Sequence, residues 1–266
     1  MLIVGEKINT SRKAVKEAVA HQDAAFIRNL ARQQAEGGAH YIDINCGTFI
    51  DRERELMAWL VEEVHQELDL PLCIDSPDPK AVEAGLKAHK KGQPMINSIS
   101  GEKDRYQAIL PLVKEYGAKV VVLCMDDQVG IPHDAQTRFV IARRVIDGLL
   151  EIGAPEDDIY VDPLIQPIST DTANALSALD TIKMVKEAYP GTHAICGLSN
   201  ISFGLPERKL LNQTFMVMCM TAGLDGVILD PNDQRMMSLV AAGEALLNLD
   251  PYCGRYLKAY RKGILS

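Results

Sequence analysis

Short apolar, β-branched runs alternate along this chain with longer stretches in which apolar residues recur every three or four positions. The alternation persists from end to end and predicts parallel strands joined by crossover helices. Eight strands are expected, at Leu2–Val4, Tyr41–Ile44, Leu72–Ile74, Met95–Ile96, Val120–Met125, Ile159–Val161, Ala194–Leu198 and Val227–Leu229. Between the first two, Phe26, Ile27, Leu30, Ala31 and Ala35 form one apolar stripe within Asp23 to Glu36. Asp23 stands where its carboxylate can accept a helix-end N–H as N-cap. Gly38, Gly117, Gly153 and Gly223 each close a helical pattern just before a strand, a position that favours left-handed backbone. Eight βα units with no hairpin signal, and no Gly-x-Gly-x-x-Gly after the first strand, favour a closed (β/α)8 TIM barrel over an open doubly wound sheet.

Composition narrows this picture. A length of 266 residues suits one such barrel, so a single domain over residues 1–266 is expected. With 47% hydrophobic and 24% charged residues the chain reads as globular. Its formal charge of −8 supplies no general basic face for nucleic acid or an anionic membrane. The apolar run Met1–Val4 is interrupted by Glu6 and Lys7, too early for a signal-peptide core, and later runs are strand-sized. A cytoplasmic protein is expected. The six cysteines lack CxxC spacing and fall mostly inside apolar runs, as reduced core thiols do.

Barrel chemistry sits at the C-terminal ends of the strands. Those ends are polar here, with Glu6 to Asn9, Asp43 and Asn45, Asp75-Ser76, Asn97-Ser98, Asp126-Asp127, Asp162-Pro163, Ser199-Asn200 and Asp230-Pro231. Strand parity puts Ile42 and Ile44 on one face and Asp43 and Asn45 on the other. By the same count Cys73 shares a face with Asp75, Tyr160 with Asp162, and Leu198 with Asn200. An Asp before Pro or Ser is also ordinary turn or cap chemistry. Asn97 and Asn200 together with Asp75 and Asp162 nevertheless make four convergent groups suited to an amide-edged ligand. A pterin has such an edge: its 2-amino-4-oxo pyrimidine presents adjacent N–H donors beside a carbonyl, which carboxylates and carboxamides can match.

Other chemistries fit less well. No glycine-rich phosphate cradle follows the seventh or eighth strand. Three residues apart on a strand, His193 and Cys196 would point to opposite faces, and the remaining histidines lack paired spacing, so no bound metal is expected. Only Lys7 lies near a position suited to a Schiff base.

The strand ends resemble the pterin-binding barrel family, and within it the methyltetrahydrofolate:corrinoid protein methyltransferases. The resemblance is carried by Val4-Gly5-Glu6-Lys7-Ile8-Asn9, Asp43-Ile44-Asn45, Leu72-Cys73-Ile74-Asp75-Ser76, Met95-Ile96-Asn97-Ser98, Tyr160-Val161-Asp162-Pro163-Leu164 and Gly197 to Ser202. Further similarity runs through Gly130-Ile131-Pro132, Arg208 and Leu211 to Phe215, in the family's order over nearly the whole chain. Lys7 stands where relatives often have Arg, Asp126 where some have Asn, and Phe203 in a loop that is polar in some.

The resemblance implies a methyltransferase that moves the N5-methyl group of methyltetrahydrofolate to or from the cobalt of a corrinoid (cobalamin) protein. Asp75, Asn97 and Asp162 match the residues that hold the pterin ring, and Asn200 the side chain that approaches N5. Asn200, Asp75 and Asn97 are the catalytic candidates, and Glu6, Asp43, Asn45 and Arg208 are secondary ones. The corrinoid is expected on a partner protein, since no Asp-x-His-x-x-Gly module is present in the sequence. A homodimer is implied too, with Tyr252 to Tyr260 as candidate packing. Dihydropteroate synthase is the nearest alternative, but its pyrophosphate grips after the first and last strands have no counterpart. A non-catalytic folate-binding barrel is the second alternative.

Overall fold

The computed structural model describes residues 1–265, so Ser266, included in the single-domain expectation, lies outside the described residues. The elements follow the predicted alternation. They run β1 (Leu2–Asn9), α1 (Lys13–Ala20), α2 (Ala24–Glu36), β2 (Tyr41–Asn45), α3 (Glu53–Glu67), β3 (Leu72–Asp75), α4 (Pro79–Ala88), β4 (Met95–Ser100), α5 (Lys103–Tyr116) and β5 (Lys119–Leu123). The second half continues α6 (Ala135–Glu151), β6 (Ile159–Asp162), α7 (Asn174–Ala188), β7 (His193–Ala194), α8 (Arg208–Ala222), β8 (Gly226–Leu229), α9 (Gln234–Leu246) and α10 (Gly254–Arg261). The strands pair in parallel in the order β7-β6-β5-β4-β3-β2-β1-β8. A parallel bridge from Gly197 to Ile228 links the two ends of that order, making the (β/α)8 barrel expected from the periodicity.

Side-chain parity sorts the core into two layers. Val4, Tyr41, Cys73, Met95, Val121, Tyr160 and Ile195 fill the barrel interior. Ile42, Ile44, Ile74 and Ile96 belong to the layer packed with helix residues such as Leu56, Leu60 and Val82. The four glycines expected to end helical patterns all have positive φ, from 55° at Gly117 to 109° at Gly223. Asp23 caps α2 by accepting the Phe26 N–H at 3.0 Å. The α2 stripe differs at its edges. Phe26 is 37% exposed, whereas the polar Gln34 is fully buried. Gln34 Oε1 accepts the Lys7 N–H at 2.8 Å, where the β1–β2 register shifts between Gly5 and Ile8. A β-carbon on Gly5 would lie 2.6 Å from that oxygen, so glycine gives this side chain room to reach the strand.

Four strands depart from expectation by more than one residue, and of these β5 stops at Leu123, short of Met125. β1 and β4 run on to Asn9 and Ser100, and each carries a register irregularity through its polar end. β7 is the larger departure: it comprises only His193 and Ala194, and the predicted end of the strand enters a 3-10 turn at Leu198–Ser202. Apolar character alone could not reveal this, because Leu198 is buried in either conformation.

Candidate active site

The strand ends converge on a cleft of about 470 Å³ whose lining includes Glu6, Asp43, Asp75, Asn97, Asp162 and Asn200. β2, β3, β4 and β6 present the middle four by strand parity. Asn200 arrives differently. Its 3-10 turn separates it from Leu198, which is buried while Asn200 is exposed, so the two do not share a strand face as expected. The other two candidates act on this set from behind. Asn45 Nδ2 donates to Asp75 Oδ2 at 2.8 Å while its Oδ1 accepts the Gly47 N–H at 3.1 Å. Arg208 donates from Nε to Ser202 Oγ at 3.0 Å and from Nη2 to the Ser199 carbonyl at 2.7 Å. Arg208 thereby braces the turn that carries Asn200.

Crowding carboxyl groups in a partly dry cleft makes their ionisation costly. Asp43 is 3% exposed. Burial and then the neighbouring Asp75 charge drive its pKa well above the carboxylate range, against hydrogen bonds from Cys73 and Asn97. Burial likewise lifts Asp75 to about 6, opposed by Asn45 and Arg105. Asp162 is also raised to about 6 by burial, opposed by the Leu164 and Gly197 amides and by Arg138. Glu6 is raised by burial, although Arg12 pairs with it at 2.8 Å. The cleft therefore holds carboxyl groups poised to exchange protons close to neutrality, able to accept N–H bonds when ionised.

An arginine missed in the sequence reading fixes two of these groups. Arg105 on α5 donates to the carbonyls of Ser98 (2.8 Å), Pro77 (2.9 Å) and Ser76 (2.9 Å). Asp75 and Asn97 immediately precede Ser76 and Ser98, whose carbonyls it ties together. An adjoining cleft of about 570 Å³ shares Asp75 and Asn97 and is lined further by Ser76, Ser98, Glu102 and Arg105. The signal available in the sequence was only an arginine in the first turn of the helix after β4, and such residues are usually solvated.

Several strand-end residues have structural duties instead. Asp126 accepts the Gln128 and Val129 N–H groups at 3.0 and 3.1 Å and pairs with Arg144 at 2.9 Å. Burial raises its pKa, but those amides and Arg144 outweigh burial and leave it low. Asp230 accepts the Asn232 N–H at 3.0 Å and pairs with Lys7 at 2.8 Å. His193 bonds Asp225 and Asp157, whereas Cys196 packs within the apolar layer between sheet and helices.

Comparison with known proteins places this arrangement. The sequence model of the pterin binding enzymes matches residues 5–230. The chain belongs to the pterin-binding enzymes. Over 264 residues it is 38% identical to the methylcorrinoid:tetrahydrofolate methyltransferase of Eubacterium limosum, covering 99% of this chain and 97% of that protein. The methionine synthase of Mycobacterium tuberculosis is 31% identical over 263 residues, covering 90% of this chain and 22% of the larger enzyme. Among solved structures, dihydropteroate synthase from Clostridium difficile, crystallised with pteroic acid, superposes with a TM-score of 0.74 at 18% identity, covering 92% of this chain and 96% of that one. That likeness shows the barrel fold.

Proposed function

We propose that this pterin-binding enzyme transfers the N5-methyl group between methyltetrahydrofolate and a corrinoid carried by another protein. The observation that carries this reading is one cleft with Asp75, Asn97 and Asp162 along its walls and the carboxamide of Asn200 on an exposed turn at its rim. The names of the Eubacterium limosum and Mycobacterium tuberculosis relatives support it. Asp75 and Asp162, when ionised, accept the paired N–H groups of the pterin edge, and Asn97 donates or accepts beside them. N5 is a poor leaving group. Relief of its charge as the carbon–nitrogen bond breaks or forms requires a proton or a strong hydrogen bond, which in this reading the Asn200 carboxamide donates. The reduced corrinoid supplies the nucleophile for the methyl carbon. An exposed rim, with Asn200 and the 65%-exposed Phe203 on adjacent turns, suits a reaction in which that group arrives on a second protein.

The cations near β1 argue against a dihydropteroate synthase reaction, which must hold a pyrophosphate. Lys7 is paired with Asp230 and Arg12 with Glu6, so their charges are already matched by carboxylates. The decisive assay mixes purified protein with methyltetrahydrofolate and a reduced corrinoid protein and follows the loss of reduced-corrinoid absorbance. Folate binding without any absorbance change would sink the methyl-transfer reading and favour a non-catalytic folate-binding barrel.

Two finer features accompany the proposal. The exposed apolar residues Leu249, Tyr252, Leu257 and Tyr260 near the C-terminus form the contact of a homodimer, which sedimentation would register as twice the chain mass. The enzyme works in the cytoplasm. Among the described residues no helix is long and apolar enough to cross a membrane.

A further inference from the structure

Strict alternation along β1 would put Val4, Glu6 and Ile8 on one face of the strand. Val4 does lie in the barrel interior, but Ile8 is packed in the layer between sheet and helices. The face changes because β1 carries one residue too many: Gly5 to Ile8 on β1 spans three steps, against two from Ile42 to Ile44 on β2. Such a bulge unpairs a backbone group and re-aims the side chains beyond it. Here it brings Asn9, in place of Ile8, to the cleft that Glu6 also lines. Asn9 Oδ1 accepts the Ser11 N–H at 2.9 Å, so Nδ2 is the donor its carboxamide offers to a ligand. In the shifted register Asn9 stands opposite Asn45, whose own amide holds Asp75.

Within the bulge, the Lys7 N–H donates to Gln34 Oε1 at 2.8 Å. Gln34 reaches it from α2 with its side chain fully buried, and Gly5, lacking a β-carbon, leaves that oxygen its place. Gln34 Nε2 has no hydrogen-bond partner within the protein, so the oxygen is the part of the carboxamide in use. A buried amide N–H without an acceptor is costly, and a strand that loses this one is driven back toward regular pairing. Regular pairing would return Ile8 to the cleft and turn Asn9 away from it. We propose that Gln34 is a positioning residue: from the outer face of the barrel wall its carboxamide oxygen fixes the β1 bulge and so places both Glu6 and Asn9 at the folate. The inference rests on the reading of this cleft as the folate site.

The test titrates the full-length protein with methyltetrahydrofolate at neutral pH and follows its circular dichroism to confirm folding. In Gln34→Met, which offers Lys7 no acceptor, affinity falls roughly tenfold. Gln34→Glu keeps an acceptor oxygen at the same reach in either protonation state and retains the wild-type affinity. Gly5→Ala, whose β-carbon displaces that oxygen, reproduces the loss. In a background of Glu6→Gln with Asn9→Ala, which still binds through Asp75, Asn97 and Asp162, Gln34→Met adds no further loss. That outcome separates placement of these two side chains from a general loosening of the barrel. Wild-type affinity in folded Gln34→Met, or the same fold loss in the Glu6→Gln, Asn9→Ala background, would overturn the inference. Should Gln34→Met fail to fold, the other two variants decide: retained affinity in Gln34→Glu with a loss in Gly5→Ala supports it, and a loss in Gln34→Glu or wild-type affinity in Gly5→Ala overturns it. Absence of folate binding by the wild-type protein would overturn the folate reading and this inference together, an outcome distinct from binding that Gln34→Met leaves unchanged.

Discussion

At the scale of single residues, the cleft shows a conflict between stability and function. A carboxyl whose pKa rises on folding destabilises the native state above its folded pKa, and that penalty fades as pH falls toward the unfolded value near ~4. Asp75, raised to about 6 by burial, carries such a penalty at neutral pH. Asp75→Asn should therefore stabilise the protein at pH 8, on the order of 1–2 kcal/mol, with a smaller gain at pH 5, while abolishing pterin binding. Thermal melting at the two pH values, alongside folate titration, measures both effects. Equal melting gains at pH 5 and pH 8 would contradict this account. Asn200 presents the opposite case. It is exposed, so Asn200→Ala should leave folding intact. Methyl transfer should lose about 2–4 kcal/mol of transition-state stabilisation with a much smaller change in folate affinity. Equal losses in binding and single-turnover rate would remove its assigned role.

At the scale of elements, the consequential feature is the replacement of a predicted strand by a turn. Leu198–Ser202 is tied to the loop after β6 by the Ile168 N–H to the Ile201 carbonyl at 3.0 Å, and braced from α8 by the two bonds of Arg208. Those bonds need the planar fork of a guanidinium, which a lysine ammonium cannot reproduce. Arg208→Lys is expected to slow transfer roughly tenfold by loosening Asn200, without altering folate affinity. Stopped-flow rates compared with equilibrium binding would separate this from a role in gripping the substrate. The sequence indicated Arg208 only through family resemblance. Its spacing from Ser202 becomes meaningful once the chain between them has folded back on itself.

Across the whole molecule, the end of the barrel opposite the site carries its own charge network. His193 Nδ1 meets Asp225 at 2.8 Å and Nε2 meets Asp157 at 3.0 Å, and Lys186 also pairs with Asp225 at 3.0 Å. These bonds join β7 to the segments preceding β6 and β8, where the ladder is shortest. The hydrogen bond to Asp225 leads in raising the pKa of His193. Stability from a raised histidine pKa is fully present below the unfolded value near ~6.5 and is lost as pH rises through the folded pKa. His193→Gln should thus cost about 1 kcal/mol at pH 5.5 and less at pH 8.5, read as a larger drop in Tm at the acid pH. A cost independent of pH would mean that packing against Tyr160, at 4.6 Å between ring centroids, is what matters.

Local sequence sufficed for whatever depends on near neighbours. Periodicity determined eight parallel strands and their intervening helices, glycines with positive φ marked the helix ends, and parity assigned Asp43, Asp75 and Asp162 to the interior, because each follows from the repeat of one strand or helix. Tertiary structure alone decided what depends on distant segments meeting. It turned the end of β7 into the turn that presents Asn200, spent Asp126 and Asp230 on loops and ion pairs, recruited Arg105 to hold two strand ends, and buried Arg138 in the interior. Their common physical reason is that a charge in water costs little wherever it lies, whereas a charge in a closed barrel is set by partners far away in the chain.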